Sequence, residues 1–114
     1  MAGAEAEALS VAAVARPTAV PGLDLLPANK ELAAFPVEVA GEADRAEKLR
    51  ALAERVPPGA YDALLIDSPP SLSLVTENVM RAATEIVIPV ALTYLALDGC
   101  AEILASLERM REDR

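Results

Sequence analysis

Two short apolar-rich runs stand out along the chain: Ala63-Leu64-Leu65-Ile66, and Ile86-Val87-Ile88 within Glu85-Ile86-Val87-Ile88-Pro89-Val90. An unbroken apolar run of this length, bounded by turn residues, predicts a strand buried on both faces, as in parallel sheets. The first run ends in Asp67 and the turn Ser68-Pro69-Pro70; the second ends at Pro89, which limits ladder pairing there. Leu23-Asp24-Leu25-Leu26, between Pro21-Gly22 and Pro27, predicts a third, shorter strand.

Helical spacing fills the intervals. Over residues 42–56, Ala46, Leu49, Leu52, Ala53 and Val56 share one face, while Asp44, Arg45, Glu47, Lys48, Arg50 and Glu54 occupy the other. Pro57-Pro58-Gly59 ends that helix. Ser71 or Ser73 can cap a helix over 74–83, and Asp98 can cap a last helix with Cys100, Ile103, Leu104, Leu107 and Met110 on one face. An Ala-rich helix is predicted over 4–15, closed by Pro17 and Pro21. Asn29 can cap a helical turn containing Leu32, Ala33 and Ala34, which Pro36 should interrupt or kink. Strands alternating with helices predict an α/β domain with parallel pairing over residues 21–114, preceded by a helix and linker over 1–20.

Composition narrows the functions. A chain of 114 residues fits one small domain burying roughly 65% of its unfolded surface. It is 54% hydrophobic but only 3% aromatic, so a core must be packed from Leu, Val, Ile and Ala. A net charge of −8 argues against direct DNA binding, and Arg109, Arg111 and Arg114 read as a solvated helix end. The single cysteine, Cys100, excludes an intramolecular disulfide and fits a reducing cytoplasm; on the apolar helix face it reads as a buried, inert thiol. Without histidine, Ser-His and Cys-His nucleophile pairs and His-ligated zinc are excluded within the chain. Met1-Ala2-Gly3-Ala4-Glu5 has no basic n-region, and no apolar run approaches the ~20 residues that span a bilayer, so a cytoplasmic protein without membrane attachment is expected.

The candidate chemistry lies at Asp67. Open α/β folds bind ligands at the carboxyl ends of strands, and an acid there in P-loop NTPases helps hold the Mg²⁺ that neutralises nucleotide phosphates. Capping a turn or helix is the alternative role for such an Asp, and for Ser68, Ser71 and Ser73 capping is favoured over phosphate contact. No G-x-x-x-x-G-K-[ST] loop occurs in the sequence, and its two lysines, Lys30 and Lys48, lie outside any Gly-rich turn.

Several segments in order carry a resemblance over residues 21–111. Pro21-Gly22-Leu23-Asp24-Leu25-Leu26-Pro27-Ala28-Asn29 and Glu31-Leu32-Ala33 come first. Tyr61-Asp62 through Asp67-Ser68-Pro69-Pro70-Ser71-Leu72 follows, with Thr76, Asn78 and Ala82-Ala83 in the next helix. Ile88-Pro89-Val90 and Tyr94-Leu95-Ala96-Leu97-Asp98-Gly99 complete the set. Together they resemble the ParA/Soj family of chromosome- and plasmid-partitioning ATPases, deviant-Walker P-loop proteins whose corresponding stretches read PGLDLIPAN, YDYIIIDTPPSL, IPV and YFALEGL. The resemblance implies part of a P-loop NTPase-like (SIMIBI-type) three-layer fold with a short, mainly parallel sheet. It makes Asp67 the Walker B aspartate, holding Mg²⁺ through water, and Ser68, Pro69 and Pro70 the switch loop that responds to the γ-phosphate. It implies Mg-ATP as the cofactor of the intact family, a ParB-like partner, and self-association or pairing with a full-length relative.

The family's K-G-G-x-G-K-T/S loop and its second strand-end Asp have no counterpart in this sequence; the resemblance places both before Met1 and the DNA-binding part after Arg114. The chain alone is therefore expected neither to bind ATP tightly nor to hydrolyse it. The alternative is a standalone, non-catalytic module that pairs with a full-length relative or adaptor. Its three predicted strands are expected to pair directly, with exposed edges.

Overall fold

The computed structural model describes residues 11–113. In chain order they form α1 (Val11–Val14), β1 (Arg16–Pro17), β2 (Asp24–Leu25), a 3₁₀ helix (Lys30–Ala34), α2 (Phe35–Glu38), α3 (Lys48–Ala53), α4 (Leu74–Ala82) and α5 (Tyr94–Glu112). The chain divides into two compact units, one ending at Ala82 and the other beginning at Ala83.

In the first unit, β1 and β2 form an antiparallel pair with Arg16 opposite Leu25 and Pro17 opposite Asp24. The turn between them needs Gly22, whose φ of +79° is open to glycine at little cost. Thr18 Oγ1 donates to the Leu23 carbonyl at 2.8 Å and accepts from the Val20 amide at 3.2 Å, fastening the turn. The predicted third strand is thus present as Asp24–Leu25, but its partner runs antiparallel and comes from the residues just before it. Of the predicted helix over 4–15, α1 is the part within the described residues; positions 4–10 lie outside them.

Asn29 behaves as its sequence position predicts. Its extended backbone lets Oδ1 accept from the Glu31 amide at 2.9 Å, opening the 3₁₀ helix. Pro36 sits at the start of α2, where a missing N–H costs nothing, so the segment changes helix type there.

The amphipathic stretch 42–56 is helical only over α3. Before it, Glu42, Arg45 and Glu47 amides bond three residues back, to Val39, Glu42 and Asp44 carbonyls, giving successive tight turns. After it, Arg55 and Val56 bond three residues back again as Pro57 approaches. The N-cap residue of α3, Glu47, makes no side-chain cap. That service comes from α4: Asn78 Oδ1 accepts from the Leu49 amide at 3.1 Å, satisfying one of the orphan donors of a helix start. Asn78 Nδ2 donates to the Arg45 and Leu74 carbonyls, each at 2.9 Å. Arg81 adds a second tie, to Glu77 at 3.0 Å on its own helix and to Glu47 at 3.2 Å.

The two runs predicted as buried parallel strands belong to no ladder among the described residues, whose one sheet is the β1–β2 pair. They are also open to solvent: Leu65 and Val87 are each 89% exposed. Direct pairing of the three predicted strands is therefore corrected to a single antiparallel hairpin beside helices. An apolar run registers a segment suited to burial, but a strand forms only where a neighbouring strand supplies the ladder hydrogen bonds, and burial on both faces needs covering layers as well. The architecture is mixed α and β. Its buried apolar residues among those described are Val11 and Val39, and most other large apolar side chains are half-buried or exposed.

In the second unit, α5 begins four residues earlier than Asp98. Thr93 holds the extended backbone of an N-cap (φ −123°, ψ 153°), and its Oγ1 accepts from the Ala96 amide at 3.3 Å. Asp98 lies inside the helix, exposed, and caps nothing. Cys100, Ile103, Leu107 and Met110 form a half-buried face, whereas Leu104 stays exposed. Cys100 is a free, half-buried thiol rather than a buried one. Ser106, which is buried, donates to the Glu102 carbonyl at 3.0 Å and accepts from Arg109 at 3.2 Å.

Candidate functional site

The stretch leading to Asp67 is anchored at its start. Tyr61 donates its hydroxyl to the Asp24 carboxylate at 2.7 Å, holding the β1–β2 hairpin against a segment 37 positions further along the chain. The hydrogen bond to the Asp24 carboxylate, which only the protonated phenol can donate, raises the Tyr61 pKa above its ordinary value. From there the chain runs without regular structure through Ile66, which is half-buried, to Asp67, Ser68, Pro69 and Pro70, all exposed.

Past Pro70, the backbone turns into α4. Thr76 Oγ1 donates to the Ser71 carbonyl, and Ser73 Oγ accepts from the Thr76 amide at 3.4 Å. The Glu77 amide bonds to the Ser73 carbonyl at 2.9 Å, the first full helical turn. Of the serines considered for capping, Ser73 has that role; Thr76, its partner in both contacts, is buried. The loop 67–73 is therefore fixed at its α4 end and presents Asp67 and Ser68 to solvent.

Mg²⁺ takes hard oxygen donors at near-octahedral geometry, keeps several waters, and is held through one or two carboxylates together with substrate phosphates. A lone, exposed Asp67 suits that mode of binding. A closed protein cage is absent among the described residues, where no three Asp, Glu, Cys or His side chains come together for a metal. The lysine charge needed for phosphates is not beside it. Lys48 Nζ is held by Glu42 and, at 3.1 Å, by Asp44. Its hydrogen bonds to Glu42 and Asp44 raise its pKa, while the bond from Lys48 lowers that of Asp44. Lys30 is exposed in the 3₁₀ helix.

Three residues of this framework are not marked by the sequence as structural determinants. Tyr61 and Asp24 belong to separate motif segments, and nothing in either predicts that they meet. Asn78 gave a fainter signal: Asn is a poor helix-interior residue, and a side chain with two donors and an acceptor among apolar neighbours must be satisfied when buried.

Comparison with known proteins decides the family. The profile of the AAA domain family AAA_31 matches residues 2–114. The chain belongs to that family. This AAA_31 chain is 37% identical over 95 residues to the chromosome partitioning protein ParA of Caulobacter vibrioides (strain NA1000 / CB15N), covering 82% of itself and 36% of that protein. It is 44% identical over 92 residues to the chromosome-partitioning ATPase Soj of Thermus thermophilus, covering 81% and 34%. With the sporulation initiation inhibitor protein Soj of Bacillus subtilis it shares 34% over 99 residues, covering 87% and 39%. The ParA/Soj resemblance carried by the motifs thus extends over most of the chain, which spans little more than a third of the length of these curated relatives. No solved structure matches it. Among the described residues, no helix is long and apolar enough to cross a membrane.

Proposed function

We propose that this AAA_31 chain is a segment of a ParA/Soj-like partitioning ATPase that contributes the Walker B strand end and the switch loop. The observation that carries the reading is the order of its motifs: Pro21-Gly22-Leu23-Asp24, then Tyr61 to Pro70, then Ile88-Pro89-Val90 and Tyr94 to Gly99. Relatives named for chromosome partitioning support it. In the intact protein, residues 63–66 and 85–90 take strand positions in the mainly parallel sheet of a three-layer fold, with 21–114 as part of the ATPase domain and 1–20 as a helix and linker leading into it. Asp67 holds the Mg²⁺ of Mg-ATP through water, and Ser68, Pro69 and Pro70 form the loop that senses the γ-phosphate. The bound metal ion neutralises phosphate charge there. A ParB-like partner, self-association and a cytoplasmic location belong to this role; direct DNA binding by this acidic stretch does not.

The 114-residue chain by itself does not hydrolyse ATP. Phosphate cradling needs successive backbone N–H groups and a lysine on the β- and γ-phosphates, and a solitary carboxylate replaces neither. Calorimetric titration of the chain with Mg-ATP is expected to give no measurable heat of binding. Micromolar affinity, or turnover in a hydrolase-free preparation, would overturn this.

A second reading is supported by the exposure of Leu64, Leu65 and Val87. As a non-catalytic module, the chain pairs through such segments with a full-length relative. Co-purification of a tagged chain with a full-length ParA-like protein, lost on Leu65→Lys, is the expected result; no complex at micromolar concentrations of both would reject the module.

A further inference from the structure

Asn78 is 3% exposed, and both hydrogens of its side-chain amide are bonded. Through Oδ1 it caps α3 at Leu49, and through Nδ2 it grips the chain before α3 at Arg45 and the first residue of α4 at Leu74. Two positions earlier on α4, Thr76, 6% exposed, ties the helix to the Ser71 carbonyl and the Ser73 hydroxyl. One set of polar contacts therefore joins the start of α3 to Leu74, a second joins α4 to Ser71 beside the Ser68–Pro70 loop, and the backbone of the first turn of α4 connects the two. Buried hydrogen-bonded groups have few alternative partners, so displacement at one end strains the contacts at the other.

We propose that Asn78 is a positioning residue that couples the start of α3 to the loop following Asp67, acting through Leu74 and the Thr76–Ser71 contact. Movement of the loop is felt at the α3 cap, and a partner holding the charged face of α3 biases the loop. The regulatory sense of this coupling rests on the switch-loop reading above; the coupling itself does not.

The test uses the whole 114-residue chain, isotope-labelled, with no nucleotide present. Thr76→Val removes the hydroxyl bonded to Ser71, a contact that lies within residues 71–76. It is expected to shift the Leu49 amide resonance and speed its hydrogen exchange by a few-fold, while Thr76→Ser, which keeps the hydroxyl, restores both. Coupling is reciprocal, so Asn78→Ala should speed Leu49 exchange by about tenfold, as for a lost buried hydrogen bond, and displace the Ser71 and Ser73 resonances. A Leu49 amide indifferent to Thr76→Val would overturn the proposal, even if Asn78→Ala fails to fold. Because nucleotide is absent, a failed coupling and a failed ATPase reading give separate results: the first appears here, the second in the Mg-ATP titration.

Discussion

At the scale of single residues, three contacts set measurable expectations. Tyr61 donates to Asp24, and its pKa is raised in the folded chain. A raised folded-state pKa means a contribution fully present below the unfolded tyrosine value of about 10, and lost as pH rises through the folded value. Urea midpoints followed from pH 8 to 11 should therefore fall more for the parent chain than for Tyr61→Phe. Asp44 has the opposite sign: its lowered pKa gives a contribution present above the ordinary carboxylate range and lost as pH falls through the folded value. Lys48→Met should flatten the acid limb of the stability curve, and the difference should shrink in high salt because the group is exposed. Arg81 is less exposed and bridges Glu77 and Glu47, with the Glu77 hydrogen bond raising its pKa further. Arg81→Met should lower unfolding free energy by about 0.5–1 kcal/mol in urea titration.

At the scale of elements, what could be read from the chain was local. Asn29 and Ser73 as caps, Pro36 at a break and the extent of α4 all follow from residues within a few positions of one another. Where a partner distant in sequence decides, the pattern failed. The stretch 42–56 carries a good apolar stripe, yet its first third winds into tight turns and α3 starts where Asn78 reaches it. The apolar runs at 63–66 and 85–90 read as buried strands yet stand outside any ladder, since composition records no neighbours. Asp67 and Ser68–Pro70 were legible as a loop, whereas the Tyr61–Asp24 anchor behind them was not. This makes a sharp expectation for the runs themselves. With Leu65 and Val87 each 89% exposed, Leu65→Lys and Val87→Lys should change stability by no more than about 0.5 kcal/mol. Burial between helix layers in the isolated chain would instead cost several-fold more, and chemical denaturation separates the two outcomes.

At the scale of the whole molecule, charge and apolar exposure pull against each other. A net charge of −8 disperses the chain near neutral pH, while exposed Leu64, Leu65, Val87 and Leu92 favour association once that repulsion fades. Light scattering should rise steeply as pH approaches the sequence pI of about 4.4 and be blunted by Leu65→Lys.

The missing cap on α3 has a consequence for anyone cutting the chain into pieces. A synthetic peptide of residues 42–56 would lose the donor-quenching amide from α4 and, at six helical residues, fall below the length at which a lone helix persists in water. Its circular dichroism should be that of a coil, and a peptide of 71–83 supplied in trans should recover some of the signal. Helicity in this stretch belongs to a pair of segments, and neither owns it alone.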